Sequence, residues 1–180
     1  IDARPEIMIP LVINVREVRL VSDIAEKAIT EIMSRRAVSV PYKIGTMMET
    51  PRACLGADRL APAVEFMSFG TNDLTQMTYG FSRDDAGRFI PEYLDKSLIN
   101  ADPFVHLDQR AVGDLMKIAL ERSRAIKPGI KYGICGEHGG DPESVLFCHD
   151  IGLDYVSCSP FRLPIARISA AQAAVQDKLR

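Results

Sequence analysis

Five short apolar runs, separated by stretches with helical spacing, set the pattern of this 180-residue chain. Residues 6–12 (Glu-Ile-Met-Ile-Pro-Leu-Val) are short and apolar between prolines, which predicts a buried strand. Ser22 is a good N-cap with Asp23 and Glu26 in the following turn, and Ile24, Ala28, Ile29, Ile32 and Met33 keep the spacing of one helical face. Residues 42–48 predict a second strand that ends at Glu49, and Thr50-Pro51 then reads as a cap followed by proline at the first helical position. A short helix carrying Ala53, Cys54, Leu55 and Leu60 leads to a third strand over 65–69. This strand stops at Gly70-Thr71-Asn72-Asp73, after which helix-forming residues resume.

Residues 80–107 hold Gly87, Pro91 and Pro103 and predict a long connection with one helical piece over 92–98; connections of this length serve as lids, insertions or subunit contacts. Asp108 caps a strong helix with Val112, Leu115, Met116, Ala119 and Leu120 inward, stopped by Lys127-Pro128-Gly129. A fourth strand over 130–134 delivers Cys135 and a glycine-rich turn. Asp141-Pro142 opens the next helix, 154–158 is the fifth strand, and Ser159-Pro160 begins a final helix that Pro164 bends or restarts. Strands alternating with helices, with no hairpin signal between two strands, imply right-handed parallel crossovers and an α/β class in one domain. Periodicity alone does not separate an open doubly wound sheet from part of a (β/α)8 TIM barrel. Polar candidates after three different strands favour the barrel.

Composition narrows the partners. With 22 Lys+Arg against 24 Asp+Glu there is no basic footprint for nucleic acid, and no apolar run reaches the roughly 18 residues of a membrane span. Four cysteines without metal-type spacing read as free thiols in a cytoplasmic or similarly reducing compartment. The opening Ile1-Asp2-Ala3-Arg4 reads as a fragment's start.

The candidate chemistry sits at strand ends. Glu49 and Asp73, 24 residues apart, each follow a strand, and each is either a helix cap or half of a two-carboxylate Mg2+ site, since hard cations take oxygen ligands and Zn2+ prefers His or Cys. Cys135 is either a small core residue or a thiol able to move a proton to and from carbon. Gly70, Thr71 and Asn72 are ordinary turn formers that also offer N–H groups to a carboxylate or phosphate. Cys54, Cys148, Cys158, His106 and His149 read as structural. His138 reads as part of a solvated loop, or with Glu137 as a neighbour of the thiol; Arg83, Asp84 and Asp85 also read as a solvated loop, and Arg52 as a surface residue.

Residues 67–76, the segment Gly-Ile-Cys-Gly-Glu-His-Gly-Gly-Asp at 133–141, and Tyr-Val-Ser-Cys-Ser-Pro-Phe-Arg at 155–162 resemble the C-terminal domain of the pyruvate, phosphate dikinase family. Residues 81–87 extend the resemblance, which covers nearly the whole chain; the shorter Gly-Thr-Asn-Asp-Leu core is shared with phosphoenolpyruvate synthase and enzyme I of the sugar phosphotransferase system. The resemblance implies the last five βα units of a (β/α)8 barrel holding the phosphoenolpyruvate/pyruvate half-site. Overall the family converts ATP, pyruvate and phosphate to AMP, phosphoenolpyruvate and diphosphate. Glu49 and Asp73 match its Mg2+ ligands and Gly70, Thr71, Asn72 and Asp73 its substrate-binding turn. Cys135 matches its proton donor. It further implies a phosphohistidine domain and an ATP-grasp domain elsewhere in the parent chain, phosphate-binding arginines on earlier strands, and a homodimer. Thr50 stands where an aliphatic residue is expected. A Mg2+-dependent pyruvate aldolase would use the two carboxylates without Cys135, and a non-catalytic dimerisation module would need none of the three.

Overall fold

The computed structural model describes residues 3–179. Its strands are β1 (Glu6–Ile9), β2 (Lys43–Met48), β3 (Phe66–Gly70), β4 (Lys131–Cys135) and β5 (Tyr155–Val156), all parallel and side by side in chain order. Between them lie α1 (Val15–Arg36), α2 (Pro51–Leu55), α3 (Ala57–Leu60), α4 (Thr71–Tyr79), α5 (Arg83–Ala86), α6 (Ile90–Asp95), α7 (Ala111–Ile126) and α8 (Pro142–Asp150), with α9 (Leu163–Leu179) last. Sequential order is informative. A right-handed crossover that always steps to the next strand places every helix on the same face, whereas a doubly wound sheet needs a reversal of order. The sheet is therefore an arc of barrel type, and β1 and β5 do not pair with each other among the described residues.

Each strand's two faces have separate jobs. Ile9, Ile44, Met48, Met67, Phe69, Tyr132 and Ile134 point toward the helices and join Val18, Ala53, Leu60, Leu74, Val112 and Met116 in the main core. The opposite, concave face carries Gly45, Phe66, Ser68, Gly133 and Tyr155, in keeping with the period of two. A Cβ on Gly45 would lie 2.6 Å from the Phe66 ring, and one on Gly133 2.0 Å from the Tyr155 ring, so both glycines make room for an aromatic from the next strand. Lys131 Nζ pairs with Glu6 at 3.2 Å and sits 4.7 Å from the Tyr155 ring centroid, linking β1 and β4 at the amino ends of the strands.

Several boundaries depart from the sequence reading. Helix α1 starts at Val15, not at Ser22: the Asn14 side chain accepts from the N–H groups of Arg16 and Glu17 while Glu17 accepts from the Asn14 N–H, a complete capping box. Of the face expected for this helix, Ile29 and Met33 are half-buried and Ile24, Ala28 and Ile32 remain exposed, while Val15, Val18 and Ala25 meet the core. Apolar residues are exposed at the other end of the arc as well, at Phe161, Leu163 and Ile168. The helical piece expected over 92–98 is α6, earlier by a few residues, and α5 precedes it. Around them Ala86, Ile90 and Phe104 form a small core of their own, with Phe81 and Phe89 ring centroids 4.9 Å apart. The segment 80–107 is thus a packed insertion. Thr50 does more than tolerate its position: its hydroxyl caps α2 at Ala53 N (3.0 Å) and donates to Val12 O (3.0 Å), tying β2 to the end of β1.

Candidate active site

Parallel pairing brings the predicted residues to one edge. Gly70 lies opposite Cys135 in the β3–β4 register, and Glu49 follows directly on the Met48–Phe69 pair of β2 and β3. Glu49, Gly70 and Cys135 therefore stand on one level at the carboxyl ends of three neighbouring strands, with Asp73 in the first turn of α4. Carboxyl ends are where parallel α/β proteins gather their ligands.

Glu49 is almost fully buried and accepts a 2.6 Å bond from Leu11 N–H, which a left-handed backbone at Leu11 (φ 51) turns inward. Burial pushes the Glu49 carboxyl above its ordinary 4.5; the Leu11 bond opposes this and the nearby Asp73 carboxylate adds to it. The folded chain therefore holds on to a proton that the unfolded chain releases, and ionising Glu49 above that ordinary value weakens the fold. A bound cation would relieve that repulsion. Among the described residues no group of three or more His, Cys, Asp or Glu forms a cage, so the donor set is two carboxylates with room for water or substrate oxygens. That set fits Mg2+.

Gly70 fits because nothing larger does. A Cβ there would lie 2.5 Å from Glu49 Oε2 and 2.7 Å from Met47 Sδ. Gly70 also caps α4 without any side-chain bond, leaving that helix's first amides available to an anion. Asn72 lies over Gly136, whose φ of 97 favours glycine and where an added Cβ would come within 3.2 Å of Asn72 Nδ2; Asn72 Oδ1 is buried without a hydrogen-bond partner. Asp73 Oδ1 accepts from Gln76 Nε2 at 3.1 Å.

The Cys135 thiol donates to Phe69 O at 3.6 Å. Burial pushes it above its ordinary 9.0, the Ser68 hydroxyl partly offsets this, and the charges of Glu49 and Asp73 push it further. Ser68 and Tyr155 both lie level with Gly133 in the register, on the concave face that Cys135 shares, and Ser68 Oγ is buried without a hydrogen-bond partner. Neither Ser68 nor Tyr155 was singled out from the sequence, although both lie on the same alternating face as Cys135.

His138 overturns its solvated-loop reading: it is fully buried. Since a carbonyl only accepts, its Nε2–H donates to Pro103 O (2.9 Å) and its Nδ1 accepts the Thr71 hydroxyl (2.7 Å), which also lies 3.3 Å from Cys135 O. The ring joins the Gly70–Asp73 turn, the turn after Cys135 and the 80–107 insertion. Burial holds its pKa below the ordinary 6.5. The sign follows: unfolded histidine binds a proton the folded one resists, so this contribution is full above about pH 6.5 and is lost as pH falls below it. His138→Ala is expected to lower stability by about 3 kcal/mol at pH 7.5 and to flatten the pH dependence of the unfolding midpoint between pH 5 and 7, read by thermal melts. Arg83 is likewise not free, its Nη2 pairing with Glu137 at 3.3 Å. Arg52 donates to the Ile13 carbonyl. His106 and His149 pair with Asp141 and Asp177, as structural residues do. The four cysteines are unpaired, with Cys54 and Cys148 buried.

Comparison with known proteins adds to this geometry. The solved citrate lyase of Burkholderia xenovorans LB400 superposes with a TM-score of 0.57 at 18% identity, over 91% of this chain and 48% of that one. A pyruvate kinase from Cryptosporidium parvum does so with 0.57 at 13%, over 93% and 31%. These likenesses concern the α/β fold alone, and no helix among the described residues is long and apolar enough to cross a membrane. Sequence relatives are closer. The chain is 55% identical over 178 residues to pyruvate, phosphate dikinase of Clostridium symbiosum, covering 99% of this chain and 20% of that protein. It is 56% identical over 171 residues to the chloroplastic pyruvate, phosphate dikinase 1 of Arabidopsis thaliana, covering 95% and 18%. It thus spans about a fifth of the length of the curated relatives it matches. With the profile described as "PEP-utilising enzyme, PEP-binding domain" matching residues 2–175, the chain belongs to the PEP-utilising enzymes as a PEP-binding domain.

Proposed function

We propose that this chain is the pyruvate/phosphoenolpyruvate half-site of a pyruvate, phosphate dikinase, forming the last five βα units of its barrel. The observation that carries this is the shared level of Glu49, Gly70 and Cys135 at three adjacent strand ends, with Asp73 within electrostatic reach of both Glu49 and Cys135. Glu49 and Asp73 hold Mg2+, which supplies Lewis-acid stabilisation of negative charge developing on the substrate oxygen. The amides that open α4 and the Asn72 amide take up the substrate's carboxylate and carbonyl oxygens. Cys135, as thiolate, removes a methyl proton from pyruvate; the C–H pair becomes the new C=C bond and the carbonyl pair moves to oxygen. That oxygen attacks the phosphorus of a phosphohistidine carried on another domain, and the histidine nitrogen departs. In reverse the Cys135 thiol protonates the methylene carbon. Nucleotide chemistry belongs to an ATP-grasp domain of the parent chain.

Titration with Mn2+, followed by electron paramagnetic resonance, tests the metal half of this reading. Wild type is expected to bind, and Glu49→Gln and Asp73→Asn are each expected to abolish binding; wild-type affinity in both variants would sink it. The parent enzyme is further proposed to be a homodimer joined through this domain, in keeping with the apolar residues left exposed at both ends of the arc. Sedimentation at micromolar concentration giving only monomer would refute that.

A further inference from the structure

We infer that Gln76 is a positioning residue that aims the Asp73 carboxylate and couples it to the folded state of the 80–107 insertion. The inference rests on the proposed role of Asp73 as a metal ligand. Gln76 sits one helical turn after Asp73 on α4, and its amide is engaged at both ends: Nε2 donates to Asp73 Oδ1 at 3.1 Å, and Oε1 accepts from Arg83 N–H at 2.6 Å. A carboxylate only accepts and a backbone N–H only donates, so neither bond survives rotation of the amide by half a turn. The backbone contributes as well. Gln76 O accepts from the N–H groups of Gly80, in left-handed conformation, and of Phe81, which closes α4 and starts the insertion.

One residue thus spans from a site carboxylate to the first turn of α5. Arg83 extends the span, since its guanidinium pairs with Glu137 in the turn that follows Cys135. With Oδ1 held by Gln76, the Asp73 carboxylate has its rotation fixed beside Glu49. An Asp73 released from Gln76 would sample other rotamers, and the affinity of the pair for a cation would fall. By reciprocity a cation that fixes Asp73 steadies Gln76, Arg83 and the insertion.

The test is Mn2+ affinity in the intact protein. Gln76→Met keeps the side chain's length and removes both amide bonds; it is expected to weaken binding about tenfold, the size of one hydrogen bond to a charged group. A second pair isolates the insertion. Arg83 is the first residue of α5 and Ser82 before it is extended (φ −81, ψ 126), so Arg83→Pro fits the backbone while deleting the N–H that Gln76 accepts. Arg83→Ala keeps that N–H and deletes only the guanidinium. Proline is expected to bind Mn2+ about three- to tenfold more weakly than alanine. Hydrogen exchange across 81–86 is expected to slow on adding Mg2+ in wild type and to be insensitive to it in Gln76→Met. Wild-type affinity in Gln76→Met, or equal affinity in the two Arg83 variants, would overturn the inference while leaving the metal site intact. A wild type that binds no metal, or binding that survives Asp73→Asn, would instead remove the proposed function, and this inference with it.

Discussion

Cys135→Ala is expected to slow phosphoenolpyruvate formation by about a hundred- to ten-thousandfold, the usual size of a positioned proton transfer, while leaving Mn2+ affinity close to wild type. The two effects separate because the thiol and the carboxylates stand on different elements: Cys135 ends β4, Glu49 directly follows β2, and Asp73 lies in the first turn of α4. Cys135→Ser should be nearly as slow, since a serine hydroxyl is a far weaker acid than a thiol. The pH profile carries a second signature. Burial and the two neighbouring carboxylates hold Cys135 as the thiol through neutral pH. Protonation of the methylene carbon then proceeds undiminished there, whereas proton removal from pyruvate needs thiolate and rises about tenfold per pH unit below the thiol's pKa. A wild-type pH profile that persists in Cys135→Ala, at an unchanged rate, would return the thiol to the core and assign the proton to another group.

Gly70→Ala should be the most damaging single methyl in the site. Its backbone (φ −89, ψ 80) is open to any residue, so the effect is purely one of space. The added Cβ would meet Glu49 Oε2 at 2.5 Å and Glu49 Cβ at 2.9 Å, and the carboxylate would have to leave both its Leu11 N–H bond and its place beside Asp73. We expect a loss of about 2 kcal/mol in stability from overpacking, read by urea denaturation, and loss of Mn2+ binding with it. Gly87→Ala is the matched control. Nothing lies within 4 Å of its Cβ position and its φ is −58, so stability should hold or rise slightly. Equal Mn2+ affinity in Gly70→Ala and wild type would mean that the observed pose of Glu49 is not the binding pose.

The parts of this site legible in the sequence are those that depend on local order along the chain. A strand that ends in a small polar turn before a helix announces its edge, and three such ends delivered Glu49, the Gly70–Asp73 turn and Cys135. Parallel pairing then had little choice but to bring them together. Helix α1 begins after Asn14 and not at Ser22 because Glu17 stands three residues beyond Asn14 and returns a bond to the cap, whereas the residue three beyond Ser22 is Ala25, which cannot. His138 was misread for a different reason. Glycines on either side suggest a solvated turn, yet here they permit close cover: a Cβ on Gly139 would lie 2.2 Å from Ser157 O, and one on Gly140 2.8 Å from the Arg162 side chain. That cover, and the Pro103 carbonyl that His138 meets, come from segments distant in the chain. The partner of Gln76 on the insertion was hidden likewise, although its spacing of three from Asp73 was in view.

Deuterium uptake at the methyl group of pyruvate, followed by NMR in D2O with Mg2+, tests most directly whether enolate chemistry occurs at these strand ends. It needs neither the phosphohistidine nor ATP, so it isolates the half-site. With the barrel intact, uptake is expected in wild type, to require the metal, and to vanish in both Cys135→Ala and Asp73→Ala. Uptake at the wild-type rate in both variants would contradict the assignment of metal and proton transfer to this edge of the sheet.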